Sequence, residues 1–373
     1  MVVIGGGVVG CALAFTLAAC GVEVLLVEAE AGLAHAASGT NSGILHTGFD
    51  STPGALETRL ILRSAQLRES ILDGLGVPLL HCGARLSPRD SSERAAIAAP
   101  AENARANGVT VEHTSEEGLR VPGESVTDPV ALTRAFAAAA QSGGASIRLQ
   151  SEVVGIRDVG GSSLAVELAG GERIRARAAA NCGGLYADEI ARMAGDELVE
   201  VYPRKGEFLV FEQPSADVLD EILLPVPSAV GKGVLVFPTV DGHVVAGPTA
   251  RDRADKRDWS VEPDAGELIL ARASELFPAL ECSEPVAAYA GLRPAGRGGN
   301  YVIEHSRSTP GLVHVAAIRS TGLTASLGIG EHVAAMLAAA GRVELGPARE
   351  LSGGVAQAET TPWWSRAADR SAV

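Results

Sequence analysis

The chain has 373 residues, 46% of them hydrophobic and 20% charged, with a formal net charge of −14 and a sequence pI near 5.1. That length suits one large domain or two intimately joined ones around a sizeable core. The acidic balance argues against nucleic acid as a partner, because phosphate binding needs a basic surface, but a few local arginines can still attract a small anionic substrate. Cys11, Cys20, Cys82, Cys182 and Cys282 are scattered without a C-x-x-C pair. Neither a disulfide framework nor a zinc site is expected, the histidines show no metal spacing, and a reducing, cytoplasmic setting fits.

The first thirty residues, MVVIGGGVVGCALAFTLAACGVEVLLVEAE, read as strand, tight turn, helix and strand. Their near-absence of charge could suggest a signal peptide or membrane span, but there is no basic leader, and glycines crowd the start. No transmembrane segment is expected. Gly5, Gly7 and Gly10 have G-x-G-x-x-G spacing. Gly5 permits the turn, Gly7 lets the backbone approach a pyrophosphate, and Gly10 lets helix and strand pack closely. Val8 and Val9 open the helix, whose unpaired N–H groups and partial positive charge suit phosphates. Glu28, followed by Ala29, closes the second strand, where a carboxylate accepts ribose hydroxyls and disfavours a 2′-phosphate. The motif alone is weak; its strand–turn–helix context makes a dinucleotide site the reading here.

A second polar, glycine-bearing stretch, ASGTNSGILHTGFD, follows from Ala37 to Asp50. Ser38, Thr40, Asn41, Ser42 and Gly43 can serve the second phosphate and ribityl chain of an extended ligand. Next come an amphipathic helix over Leu56–Gly74 and an Ala-rich one over Ser91–Gly108, kinked at Pro100. A helix is started by Asp128-Pro129, an N-cap with Pro in the first turn, and a strand follows over Ser146–Arg157. Residues 200–260 read as antiparallel hairpins with a turn at Asp241-Gly242. Pro263–Leu276 is helical. The last stretch reads as a loose tail, with Trp363-Trp364 packing on the body or touching a partner.

In the order of these motifs the chain resembles the FAD-dependent oxidoreductases of the D-amino-acid oxidase superfamily. Within it, the chain is most similar to the glycerol-3-phosphate dehydrogenase-like and L-2-hydroxyglutarate dehydrogenase-like branch. The resemblance runs from about Met1 to Leu337 through TNSGILHTGFD, SEVVGI, AAANCGGLYADEIA, YPRKGEFLVF, GKGVLVFPTVDGHVVAGPTA, YAGLRPAGRGGNYVIE and GLVHVAAIRSTGLTASLGIGEHVAAML. Two positions depart from the pattern: Asn300 stands where an acid is common, and Arg319 where a small or acidic residue is expected. The resemblance implies an α/β (α+β) fold: a Rossmann-type FAD-binding domain with an inserted antiparallel β-sheet substrate domain. The FAD-binding part would comprise 1–75, 125–197 and 296–345, the substrate part 76–124 and 198–295, and the tail 346–373.

The same resemblance implies roles. Val153 would meet the adenine through its backbone, and Gly183 and Gly184 would form a turn that returns to the cofactor. Gly322, Leu323 and Thr324 would start a helix facing the flavin pyrimidine. His46 would be the base that removes a hydroxyl proton as hydride leaves; a structural histidine or a covalent flavin link are the other readings. Arg293 would lie over the flavin as an anion clamp, unless it makes a surface salt bridge. Arg319 is a second substrate-binding candidate and Lys232 a third, the latter equally a solvated hairpin lysine. The expected activity is FAD-dependent oxidation of a small anionic alcohol, glycerol 3-phosphate or an L-2-hydroxy acid. Oxygen, a quinone or a carrier protein would accept the electrons, a quinone implying loose membrane contact. The competing readings are an amino-acid or amine oxidase of the same superfamily and a flavin-binding subunit without turnover.

Overall fold

The computed structural model describes residues 1–215, 217–227, 233–353 and 361–372. Its central sheet has six strands in the order Val302–His305, Leu312–Ala316, Ala179–Asn181, Val2–Ile4, Leu25–Val27 and Ser146–Arg148. All neighbours are parallel except Val302–His305, which runs antiparallel to Leu312–Ala316. The interior strands are buried on both faces, as parallel strands covered on two sides must be. Val3, Leu26, Ala180 and Val313 face a core shared with the helices Val8–Ala19, Leu56–Gly74, Pro129–Ser142 and Gly322–Ala339. Alternate residues Val2, Ile4, Val27, Ala179 and Leu312 face an antiparallel three-stranded sheet made by Val153–Gly160, Ser163–Leu168 and Arg173–Ala176. Period-two alternation thus builds a layered Rossmann-type unit, and the predicted fold class is borne out.

A second sheet contains nine strands. Its spine is Val201–Glu212, antiparallel to Ala287–Gly296 over ten paired positions from Val201↔Gly296 to Val210↔Ala287. Strands from residues 84–86 and 119–121 join it, so chain from both sides of the cofactor layer contributes. Leu209 and Phe211 face the helix Ala265–Leu276. Phe208, Val210 and Tyr289 face the other way, into a core that includes Ala34, Ile44 and Val130 of the cofactor layer. The two layers therefore share one continuous interior on that face.

Helix Gly322–Ala339 has the length and apolar composition of a membrane span. Its apolar residues are consumed inside the protein, against the helices Val8–Ala19 and Leu56–Gly74. Close approach depends on two glycines: a Cβ at Gly328 would lie 2.3 Å from the Leu60 carbonyl oxygen, and one at Gly330 2.6 Å from Thr16 Oγ1.

Three sequence expectations need correction. The strand over Ser146–Arg157 is broken into Ser146–Arg148 and Val153–Gly160. Between them Gln150 and Ser151 donate backbone N–H to the carbonyls of Glu30 and Glu28, so the chain turns across the end of the neighbouring strand. The helix over Ser91–Gly108 is two helices, Ser91–Ala96 and Ala98–Asn107, meeting at Ile97; Pro100 sits in the second one's first turn, where its missing N–H costs nothing. The tail is not loose where it is described: Trp363–Ser371 is a helix, with Trp363 only 3% exposed. Trp363 meets Tyr289 edge-on at 5.6 Å, and the Ser371 hydroxyl accepts the Ala290 N–H.

Burying an indole of this size is a major term, so Trp363→Ala should cost about 3–5 kcal/mol. A thermal melt should show a clearly lowered midpoint; an unchanged midpoint would mean that the helix is dispensable to the core.

Candidate active site

The glycine turn has the geometry its spacing demands. Gly5 has φ +110°, and a Cβ there would lie 2.5 Å from the Cys182 carbonyl oxygen; one at Gly10 would lie 2.0 Å from the Gly5 oxygen. The turn before Gly183 and Gly184 is thus packed directly on the first loop. Gly7 is the N-cap of helix Val8–Ala19 with no side-chain cap. Ser38 Oγ accepts the Val8 N–H at 2.9 Å, which leaves its hydroxyl free to donate. The N–H groups of Val9 and Gly10, orphaned by helix geometry, have no protein acceptor among the described residues. The Glu28 carboxylate is held by the backbone N–H groups of Gly6, the residue before that N-cap, and of Glu30, beside exposed Ala29. Unpaired N–H donors at a helix start, a glycine-lined turn and a carboxylate bonded to that turn suit an FAD pyrophosphate and ribose.

A second helix opens beside the first. A Cβ at Gly322 would come within 3.8 Å of the Val9 side chain. Asn41 Nδ2 donates to the Ser320 carbonyl at 3.4 Å, and its Oδ1 accepts the Gly43 N–H at 3.0 Å. Ser42 Oγ accepts the Ile44 N–H at 3.4 Å. Thr324 Oγ1 accepts the His46 N–H at 3.1 Å and donates to the Ile44 carbonyl. The polar stretch before His46 is therefore laced to the N-terminus of Gly322–Ala339.

The His46 ring has a partner that no local motif announces. Nδ1 lies 2.8 Å from Glu124 Oε2, with the histidine side chain 27% exposed and the glutamate fully buried. Glu124 Oε1 accepts the backbone N–H of Thr47 at 2.6 Å and its hydroxyl at 2.8 Å. Burial pushes the Glu124 carboxyl up, but the His46 charge and hydrogen bond and the two bonds from Thr47 outweigh it and hold the group below the usual carboxylate range. An ionised Glu124 fixes the proton on Nδ1 and leaves Nε2 as the lone-pair nitrogen. Glu124 follows Gly123 in a short turn 78 residues from His46, with no local motif to mark it.

Arg293 lies on the strand face that carries Gly291, and a Cβ at Gly291 would meet the Thr40 carbonyl oxygen at 3.0 Å. The strand thus abuts the polar stretch. The guanidinium folds over Gly206, with Nε donating to the Arg204 carbonyl and Nη2 to those of Lys205 and Thr249, at 2.9–3.1 Å. Nη1 keeps two donors, and no carboxylate among the described residues pairs with this arginine. Burial, and then the charges of Arg204 and Arg319, pull it down to about 10, so it stays cationic at neutral pH.

Arg319 is exposed, with φ +23°, and its N–H is held by the Pro294 carbonyl at 3.1 Å. A non-glycine residue there is strained, and such strain collects at functional sites. Asn300 closes the intervening turn by accepting the Gly296 N–H. Val153 stands apart at the Glu28 end, in the core behind the sheet. Lys232 lies outside the described residues. Burial pushes the thiols of Cys82 and Cys182 up to about 12, so neither is a nucleophile at neutral pH.

A family model described as FAD dependent oxidoreductase (DAO) matches residues 1–336. The chain belongs to this family. It is 28% identical to a glycerol 3-phosphate dehydrogenase of Caloramator mitchellensis, over 89% of this chain and 72% of that one. It is equally identical to an L-2-hydroxyglutarate dehydrogenase of Escherichia coli (strain K12), over 69% of this chain and 67% of that one. The structure is similar to the dithionite-reduced L-α-glycerophosphate oxidase of Mycoplasma pneumoniae with FAD bound, at a TM-score of 0.86 and 26% identity, covering 94% of this chain and 97% of the other. A glycine oxidase of Geobacillus kaustophilus shares the fold, at a TM-score of 0.80 and 24% identity.

Replacing Gly10 by Ala drives a methyl group onto the Gly5 carbonyl and spreads the phosphate turn. FAD affinity should fall at least about tenfold, roughly 1.4 kcal/mol, seen as lost visible flavin absorbance in the purified protein. Full flavin content in that variant would place the cofactor elsewhere.

Proposed function

We propose that the chain is an FAD-dependent oxidoreductase that takes a hydride from the hydroxyl-bearing carbon of a small anionic substrate, glycerol 3-phosphate or an L-2-hydroxy acid. The observation that carries this reading is the His46–Glu124 pair, tied through Thr324 to the helix that faces the cofactor crevice. Bound FAD supplies the hydride acceptor. Alcohol oxidation also needs the hydroxyl proton removed, and His46 Nε2, with its partner nitrogen already engaged, is the group to take it. Glu124 steadies the cationic imidazole that results, as a buried carboxylate does in other acid–base pairs. The names of the glycerol 3-phosphate, glycerophosphate and L-2-hydroxyglutarate enzymes to which the chain is similar, which denote hydroxyl-bearing substrates, support the same chemistry.

Arg293 Nη1 and Arg319 are the substrate's anion contacts in this reading, Arg293 fixed and Arg319 tuning specificity. Val153 and Glu28 serve the adenosine end; Gly183 and Gly184 wall the middle; Gly322, Leu323 and Thr324 offer helix-start donors to the flavin ring. The FAD-binding unit comprises 1–75, 125–197 and 296–345, and the remainder up to residue 295 forms the substrate unit. Oxygen, a quinone and a carrier protein are the acceptors to assay.

Anaerobic additions of glycerol 3-phosphate, L-2-hydroxyglutarate, L-lactate and glycine, followed by visible spectroscopy, test the donor class. Bleaching by one of the first three supports the proposal; bleaching by glycine alone, with release of ammonia, overturns it in favour of amine oxidation. His46→Ala should lower kcat/KM about 10²–10⁴-fold with the flavin spectrum retained. If turnover survives unchanged, His46 is not the base.

A further inference from the structure

Arg68 sits on helix Leu56–Gly74 among the buried residues Leu60, Ile61, Ser64 and Leu72, at a position where the helix pattern calls for an apolar side chain. It is 8% exposed. An arginine is seldom buried so deeply unless paired, yet none of the described carboxylates lies within ion-pair distance of it. Its donors go to backbone: Nη1 to the His46 carbonyl at 2.8 Å and Nη2 to the Gly123 carbonyl at 3.0 Å. One of these carbonyls belongs to His46, and the other to the residue before Glu124. The two segments are also in van der Waals register, since a Cβ at Gly123 would lie 2.9 Å from Thr47 Cγ2.

We propose that Arg68 is a positioning residue for proton removal: it clamps the two segments that carry His46 and Glu124 and supplies the fixed positive charge that lets Glu124 stay ionised while His46 is neutral. This rests on the reading of His46 as the base. A base must be neutral before it acts. In that state the buried Glu124 carboxylate has neutral hydrogen-bond donors only, and burying an uncompensated charge is expensive. Arg68 relieves this through space, without occupying the Oε2 atom that His46 needs. Burial pulls the Arg68 guanidinium down, while the charges of Glu124 and then Glu69 push it back up.

The other ionisable groups around the pair are few. Leu56–Gly74 offers Arg68 and Glu69. The far side of the pair offers Cys82, which the charge of Glu124 and, farther off, those of Glu221 and Asp220 help to keep protonated. The first turns of Gly322–Ala339 contribute no ionisable side chain.

The sign of the effect follows. Removing the positive charge makes the pair hold its proton to higher pH, so the active, deprotonated form appears later as pH rises. The test is kcat/KM against pH for flavin-loaded wild type and variants, with whichever donor bleaches the flavin. Arg68→Met should move the acid limb up by about one pH unit, and Glu124→Gln should move it down. Arg68→Lys keeps the charge and should restore the limb, but it lacks the two separate Nη groups that reach the two carbonyls, so kcat should stay at least about tenfold low. An unmoved limb in Arg68→Met overturns the proposal. Should that variant lose its flavin, Arg68→Lys decides: wild-type kcat overturns the proposal, and a low kcat with a wild-type limb supports it. His46→Gln separates the two ideas. If the limb persists in His46→Gln, the base assignment itself fails; if it vanishes there but does not move in Arg68→Met, only the role of Arg68 fails.

Discussion

Three helices that start at one level, side by side and parallel, organise this molecule. Glu57 accepts the Thr321 hydroxyl, Leu60 meets Gly328, and Arg63 pairs with Glu331 at 2.6 Å, so Leu56–Gly74 and Gly322–Ala339 advance together. Gly322 lies beside Val9 and Gly330 beside Ala12 and Thr16, so Val8–Ala19 advances with them. Parallel helices bring like dipole ends together, which is unfavourable unless something negative sits at the shared positive end. The fold accepts that arrangement at the crevice mouth. There the orphan N–H groups of Val9 and Gly10 have no acceptor among the described residues, and Thr324 in the first turn of Gly322–Ala339 holds the His46 segment.

Charge is distributed to the same end. In a chain of net charge −14, Arg204 and Arg293 are directly paired across the second sheet, and Arg319 acts on Arg293 through space. Asp252 bonds Arg204, which leaves Arg293 and Arg319 without carboxylate partners among the described residues. Holding the Arg293 guanidinium by three carbonyls orients it without neutralising it. Its positive charge is left for an anionic ligand to neutralise, as the proposed reading requires.

Much of this was legible in the sequence, because local signals with a physical cause coincided with the fold. The glycine turn, the Asp128-Pro129 helix start and the hairpin at Asp241-Gly242 each depend on neighbours a few residues away, and each formed. Glu124 was not legible: a lone acid in a turn acquires meaning only when a histidine far back in the chain folds against it. Arg68 looked like one more charge on an amphipathic helix; its place on the buried face follows the helical period, but the two carbonyls that hold it lie on segments remote in sequence. The breaks at Ile97 and at residues 149–152 are tertiary decisions, the second made by the carbonyls of Glu28 and Glu30. The closing helix was missed because nine residues with a polar majority carry too little pattern; Trp363 finds its place only on the finished sheet.

The order of strands in the central sheet has a consequence for how the protein is made. Val2–Ile4 sits next to Ala179–Asn181, which sits next to Leu312–Ala316. During synthesis, the glycine turn and its neighbour strand Leu25–Val27 therefore emerge long before Ala179–Asn181, Leu312–Ala316 and the helix Gly322–Ala339. Contacts this distant in sequence close late. A nascent chain ending before residue 322 has the pyrophosphate loop but neither Thr324 to anchor His46 nor the second helix start. The pocket between the glycine turn and the His46 segment is therefore assembled only after Gly322–Ala339 has emerged.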